Sequence, residues 1–400
     1  MPACGNRSPY DVSAGRSLPP CRRWPCAGPG GCHRRHRVMT STRDAAMKVA
    51  IVGLPLSGKS TVFDAVTGMA HDPAAMPDIR HGTVHVPDAR LEYLTRLCNP
   101  KKVTEATIEF VDIPGGAATE AGARDGFRRA LPEIRLCEAL AVVVRDHDAP
   151  TVPMYRDRID PAADLREIWD ELIFGDLDSV TTRIERLERA LKKPSKTRDH
   201  ELRELEALRR CETALEGGEP VSGVLTADED RRLLASFAFL TQRPMVVVRN
   251  VSEDHVAGPA APLSEHAAQT IALCASAEAE IARLDPDDRA AFLEDLRIEL
   301  PARDRLIQAC YEVMGMVSFL TMGPDEVRAW TIRKGSTAVE AAGKIHSDLA
   351  RGFIRAETVS YDDLVAHADL RGARAAGKVR QEGKTYVVAD GDILNIKFNV

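Results

Sequence analysis

The stretch Gly53-Leu54-Pro55-Leu56-Ser57-Gly58-Lys59-Ser60-Thr61 constrains the fold of this chain more than any other. It fits G-x-x-x-x-G-K-[ST], and its flanks supply the context that pattern needs. Lys48-Val49-Ala50-Ile51-Val52 is a short apolar run that reads as a buried parallel strand, and Thr61 to Val66 reads as the opening turns of a helix. Strand, glycine-rich turn and helix in that order make a phosphate cradle. Gly53 and Gly58 let successive backbone N–H groups point inward, and the helix adds its positive end. The backbone of Leu56, Ser57, Gly58, Lys59, Ser60 and Thr61 is expected to hold phosphate. The Lys59 ammonium neutralises the terminal phosphates, and the Ser60 hydroxyl is a hard oxygen ligand for Mg2+.

The stretches that follow extend this into an α/β P-loop NTPase fold. Gly82 to Val86 alternates like a strand, and Thr107 to Val111 is a strand that delivers Asp112 at its carboxyl end. Asp112-Ile113-Pro114-Gly115 is D-x-x-G: Asp112 is placed to hold Mg2+ through its water shell, and the Gly115 N–H to face the γ-phosphate. Ala139–Val144 and Pro244–Val248 are further apolar strands, which together predict a parallel sheet with ligands at its carboxyl edge. The base-reading segment is Asn250-Val251-Ser252-Glu253, where a guanine site usually carries N-K-x-D. Val251 removes the lysine stem, and Glu253 replaces the Asp that accepts from two guanine N–H donors. The amide of Asn250 both donates and accepts, which suits the N7/N6 edge of adenine, so ATP is the expected nucleotide. Cys274-Ala275-Ser276-Ala277 is expected as a closing loop, with Ser276 beside the base.

Between the last two strands, Leu177, Val180, Ile184, Leu187 and Leu191 step by three and four. After the break at Lys192–Lys196, a returning stripe of Leu202, Leu205, Leu208 and Leu215 predicts an antiparallel helical hairpin. Thr226-Ala227-Asp228-Glu229 reads as a capping box opening a further helix. Residues 1–46 are unlike the rest: rich in Pro, Gly, Ser and Arg, without apolar periodicity, they read as a disordered extension. They carry a net charge of +6 against −6 for the whole chain, hence −12 for the remainder, so no global nucleic-acid signature exists. Cys21, Cys26, Cys32, His33 and His36 fit no standard closed zinc site. Five single cysteines in the body of the chain (Cys98, Cys137, Cys211, Cys274 and Cys310) and the lack of a long apolar run predict a cytoplasmic protein without a membrane span.

These motifs, with Pro87-Asp88-Ala89-Arg90-Leu91, Glu109–Ile113 and the run from Glu326-Val327-Arg328-Ala329-Trp330 through Phe353–Glu357 to Phe398-Asn399-Val400, make the chain resemble the Obg-like ATPase (YchF) family from about Met47 to Val400. The resemblance implies a G domain over 47–162 and 243–316, a coiled-coil arm inserted at 163–242, and a β-grasp TGS domain at 317–400. It implies an ATP- and Mg2+-dependent ATPase with Lys59 and Asp112 as catalytic residues, associated with the ribosome or a ribosomal subunit and contacting RNA through arm and TGS domain. A monomer is expected. A helix from Ala338 to Ala350 and strands near Thr385–Val388 and Ile393–Phe398 are compatible with the β-grasp module. Residues 317–400 hold twelve Lys/Arg and eleven Asp/Glu, so their charge points to no phosphate backbone.

Two stretches depart from the family. Its first switch places a Mg2+-ligating Thr in a T-I-x-P-N-type run; Ala75–His81 has none, and Asp78 is the candidate substitute. After Asp112 the chain has Gly116 where Ras-like proteins carry a water-orienting Gln, and a Gly116→Leu change is expected to leave the basal rate nearly unaltered. Binding without hydrolysis, as an adaptor, and a GTP-specific switch therefore stand as alternative readings.

Overall fold

The computed structural model describes residues 47–69, 79–116, 119–194, 196–256, 261–285, 288–289 and 301–399. The extension over 1–46, with its Cys and His residues, and Asp78 in the first switch lie outside them.

Strand β1 (Met47–Gly53) enters the phosphate loop and α1 (Lys59–Thr67) leaves it. The chain continues through β2 (Arg80–His85), α2 (Ala89–Cys98), β3 (Lys102–Thr104), β4 (Thr107–Asp112), α3 (Glu120–Ile134) and β5 (Ala139–Asp146). After the long α4 (Pro161–Ala190), α5 (Arg198–Glu216) and the short α6 (Asp228–Leu233), it returns through β6 (Met245–Val251), β7 (Gln269–Leu273) and α7 (Ala275–Arg283). Among the described residues, the first sheet runs β2-β4-β1-β5-β6-β7. All its pairings are parallel except β2–β4, which is antiparallel, so the sheet is mixed at one edge.

The alternation of β1 explains the layering. Val49 and Ile51 face a core built with Val62, Phe63 and Val66 of α1, whereas Ala50 and Val52 face Phe127, Ala130 and Ile134 of α3 and Leu165, Ile168 and Leu172 of α4. The first three turns of α4 therefore belong to the sheet's covering layer, and position 163 falls inside a continuous helix. Beyond them α4 turns its seam to α5, with Val180, Ile184 and Leu187 against Ala207, Leu208, Cys211 and Leu215. Leu202, placed in the stripe by its spacing, is 44% exposed. The capping box at Thr226 does not form: α6 starts at Asp228 with Ala227 as its cap residue and no side-chain cap bond.

Helix α8 (Ala302–Val313) then leads into a second sheet through β8 (Met316–Thr321), β9 (Glu326–Arg333), β10 (Phe353–Ser360), β11 (Arg380–Glu382) and β12 (Asp392–Phe398), in the order β11-β10-β12-β8-β9-β3. Its last strand is β3, contributed from between α2 and β4 and paired in parallel with β9. Thr337 caps the helix Ala338–Ile345 with a complete capping box, but the helix ends at His346, in extended conformation, before a separate turn at Ser347–Arg351. Thr385–Val388 forms no strand; Val387 makes one isolated bridge to Thr337.

Candidate nucleotide site

The loop after β1 closes through two left-handed residues, Leu56 (φ 63°) and Gly58 (φ 90°). Gly58 is obligatory twice over: its φ suits glycine, and a Cβ there would overlap Asn250 Nδ2. Gly53 has an ordinary φ and is needed for closeness instead, since a Cβ would lie 2.6 Å from Ser57 Oγ and the Val143 carbonyl. Leu56 is the exposed outer point of the loop, Ser57 is buried, and Ser60 and Thr61 are half-buried in the first turn of α1.

Lys59 is 7% exposed, with Nζ 3.5 Å from the Leu54 carbonyl it donates to. Burial pulls its ammonium below the usual lysine range, against the opposing pull of Asp112. Gly115 lies directly beside it, for a Cβ on Gly115 would overlap Lys59 Nζ. Asp112 ends β4 at the same level: β1 and β4 pair Ile51 with Asp112. So Lys59 meets Asp112 and Gly115, the two ends of a motif far along the chain from it, at the carboxyl edge of the sheet.

Among the described residues, two buried acceptors there have no hydrogen-bond partner, Asp112 Oδ1 and Ser57 Oγ. Buried polar atoms are rarely left unpaired, and each costs roughly 1–3 kcal/mol. A carboxylate oxygen and hydroxyl beside a glycine-lined loop form a hard-oxygen donor set, which fits Mg2+ held through water together with nucleotide phosphate.

The base end differs from expectation in one respect. Asn250 is 5% exposed, and both ends of its amide are already used: Nδ2 donates to the Ser57 carbonyl (3.1 Å) and Oδ1 accepts from Ala275 N (3.1 Å). Asn250 thus ties the phosphate loop to the start of α7, with one Nδ2 hydrogen left over. Val251 is buried at the end of β6, and Glu253 is exposed in a single turn, Glu253–His255. Cys274–Ala277 is no loop: Cys274 caps α7 and Ser276 is an exposed residue of its first turn, 3.2 Å from Cys274 Sγ.

After Gly115 the chain enters α3, capped by Thr119 Oγ1, which accepts from Gly122 N (3.2 Å). Gly116 has φ 71°, and a Cβ there would overlap the Gly122 carbonyl. Gly116→Leu therefore cannot be neutral, because it drives a side chain into the backbone of α3. Composition gave no sign of this constraint; only the close crossing of Gly116 and Gly126 reveals it.

Arg80 belongs to none of the sequence motifs, yet it reaches the site. Its guanidinium donates to both Asp112 and Asp64 at the mouth of the site. The signal available was its place, two residues beyond Asp78 at the start of an alternating strand.

A family model described as 50S ribosome-binding GTPase matches residues 48–172, and one described as YchF-GTPase_C, a protein of unknown function (DUF933), matches residues 316–399. The chain is 42% identical over 371 residues to a protein of Bacillus subtilis named ribosome-binding ATPase YchF, covering 89% of this chain and all of that one. It is 36% identical over 366 residues to the protein of that name in Escherichia coli O157:H7, covering 88% and 99% of the two chains. An Obg-like ATPase 1 of rice is 35% identical over 371 residues, covering 88% and 92%. Among solved structures, a YchF GTPase of Schizosaccharomyces pombe superposes with a TM-score of 0.75 at 28% identity, covering 88% of this chain and 97% of that one.

Proposed function

The chain belongs to the YchF family, and from that premise we propose that it is a ribosome-associated P-loop ATPase that binds ATP with Mg2+ and hydrolyses it slowly. The observation that carries the reading is the meeting of a desolvated Lys59 with Gly115 and the half-unpaired Asp112 around the phosphate loop. Lys59 and the amides of Leu56–Thr61 hold the β- and γ-phosphates, while Ser60 and Asp112 hold the metal. Bound Mg2+ supplies charge neutralisation at the transferring phosphoryl group. The chain's own part is to position phosphate, keep Lys59 dry and orient Asp112.

Adenine is favoured because the lysine stem and close carboxylate of a guanine site are absent: Val251 is buried and Glu253 sits exposed a turn away. Losing a charge-assisted pair to guanine weakens GTP by about tenfold or more. Slow hydrolysis follows from Gly116, which brings no side chain to a water, so turnover of the isolated protein stays below about 10⁻³ s⁻¹. The second sheet, read as a TGS domain, and the α4–α5 arm are the surfaces for the ribosome and RNA.

Titration with ATP and GTP side by side, followed by single-turnover cleavage with and without ribosomes, tests the reading. ATP binds tighter, and ribosomes raise a near-zero rate. GTP-favouring affinity removes the adenine assignment, and no cleavage with ribosomes present hands the protein to the adaptor reading.

A further inference from the structure

Arg80 opens β2 directly across from Asp112 in the antiparallel β2–β4 register. Its Nη1 donates to Asp64 Oδ1 at 2.8 Å, Nη2 lies 3.4 Å from the Ser60 carbonyl, and the guanidinium stands 4.5 Å from the Phe63 ring centroid. Ser60, Phe63 and Asp64 are all on α1, the helix that leaves the phosphate loop. The guanidinium is therefore fixed on one side by that helix. On the other side Nε (3.2 Å) and Nη2 (2.7 Å) both donate to Asp112 Oδ2.

The two oxygens of Asp112 are thus unequal. Oδ2 accepts two charge-assisted bonds, while Oδ1 has no partner among the described residues and is closed off from solvent. A carboxylate held at one oxygen by a planar fork cannot rotate freely, so the fork decides which oxygen stays available. The surrounding charge also balances: Arg80 and Lys59 face Asp64 and Asp112, so the guanidinium does not leave an excess of positive charge where a cation would arrive.

We propose that Arg80 is a positioning residue of the magnesium site, pinning Asp112 by Oδ2 so that Oδ1 is kept as the acceptor for the metal's water shell. This deepens the Mg2+-nucleotide reading and rests on it. Arg80 acts through Asp112 and supports a metal site whose first switch lacks the ligating Thr. The opposite arrangement, in which the guanidinium occupies the cation's place and has to be expelled, makes the contrary prediction.

The test is the affinity of the full chain for ATP in excess Mg2+ and in EDTA, whose ratio measures the metal's contribution. Arg80→Ala lowers that ratio by about tenfold, the worth of a charge-assisted pair, while affinity in EDTA changes little. Arg80→Lys, with the charge but without the fork, falls between. Asp64→Asn, which loosens Arg80 and leaves Asp112 untouched, lowers the ratio by a smaller factor. A ratio unchanged in Arg80→Ala overturns the proposal, and a raised ratio shows competition with the metal and overturns it equally. Should Arg80→Ala lose binding in EDTA as well, Arg80→Lys and Asp64→Asn decide by the same ratio. Wild-type protein that binds no ATP in either medium fails the nucleotide reading itself, a result these variants do not produce.

Discussion

Asn250 shows how one side chain acquires a role its motif does not announce. By spelling it belongs to the base-reading segment, yet its amide bridges the Ser57 carbonyl and Ala275 N, so it holds the phosphate loop against α7. A residue with that duty contributes to every nucleotide alike. Asn250→Ala should weaken ATP and GTP by a similar factor of about ten, the worth of two buried hydrogen bonds and the groups they leave unpaired. Val251→Lys combined with Glu253→Asp should instead move the ratio toward GTP. Equilibrium titration separates the two patterns. A loss confined to ATP in Asn250→Ala would restore direct adenine reading as its chief role.

Elements carry the next level, and α4 serves two masters. Its first turns cover the sheet through Leu165, Ile168 and Leu172, and its outer turns pair with α5. The changeover is anchored by Asp176, which is fully buried. Its carboxylate accepts from Arg135 Nη1 (2.9 Å), Leu240 N (3.0 Å), Thr241 N (2.9 Å) and Thr241 Oγ1 (3.0 Å), joining α3, α4 and the returning chain. Excising 170–222 would remove Leu172, Asp176 and Val221 and damage the core, whereas the outer hairpin stands apart. Replacing residues 184–207 with a short Gly/Ser turn should leave ATP affinity unchanged; a folded variant that no longer binds would make the arm part of the nucleotide site. At the start of the same helix, burial lifts the Asp164 carboxyl to about 6 despite Arg158 3.2 Å away. A raised folded value means that stability from this group is complete below about pH 4 and declines as pH rises to about 6. Asp164→Asn should therefore melt higher than wild type at pH 7.5, with the advantage gone near pH 4. A lower melting point at pH 7.5 would show that the Arg158 pair outweighs the burial.

At the scale of the whole molecule, the two sheets are not independent. Strand β3 leaves the nucleotide half to pair with β9, and Thr104 Oγ1 donates to Glu326 Oε1 at 2.7 Å. Arg90, held by Asp88, the cap residue of its own helix, reaches Asp390 at 2.6 Å, and Asp390 also accepts from Ser318 N (2.8 Å). Beneath these bonds a single apolar core runs from Val49 and Phe63 through Leu91 and Leu94 to Leu320, Val327 and Ile393. Truncation after residue 316 strips one wall from that core and leaves β3 without a partner. The shortened chain should melt well below full-length protein and aggregate, while full-length protein unfolds in one transition by calorimetry. Two separate transitions, with the first half melting unchanged after truncation, would show autonomous domains.

What the sequence determined by itself was local. The phosphate loop, the strand ahead of it, the D-x-x-G end of β4 and the hairpin's apolar stripes each depend on residues a few positions apart, where spacing and period carry the information. Tertiary structure alone decided what joins distant segments. β3 is three residues long with two of them polar, too short for a period, and becomes a strand only because β9 offers an edge. Ala338–Arg351 divides at His346 although its composition suits one helix. The intolerance of Gly116, the bridge made by Asn250 and the grip of Arg80 on Asp112 are through-space facts between residues that sequence separates widely. Hydrogen bonds and steric overlap act over about 3 Å, and only the folded chain sets which groups come that near.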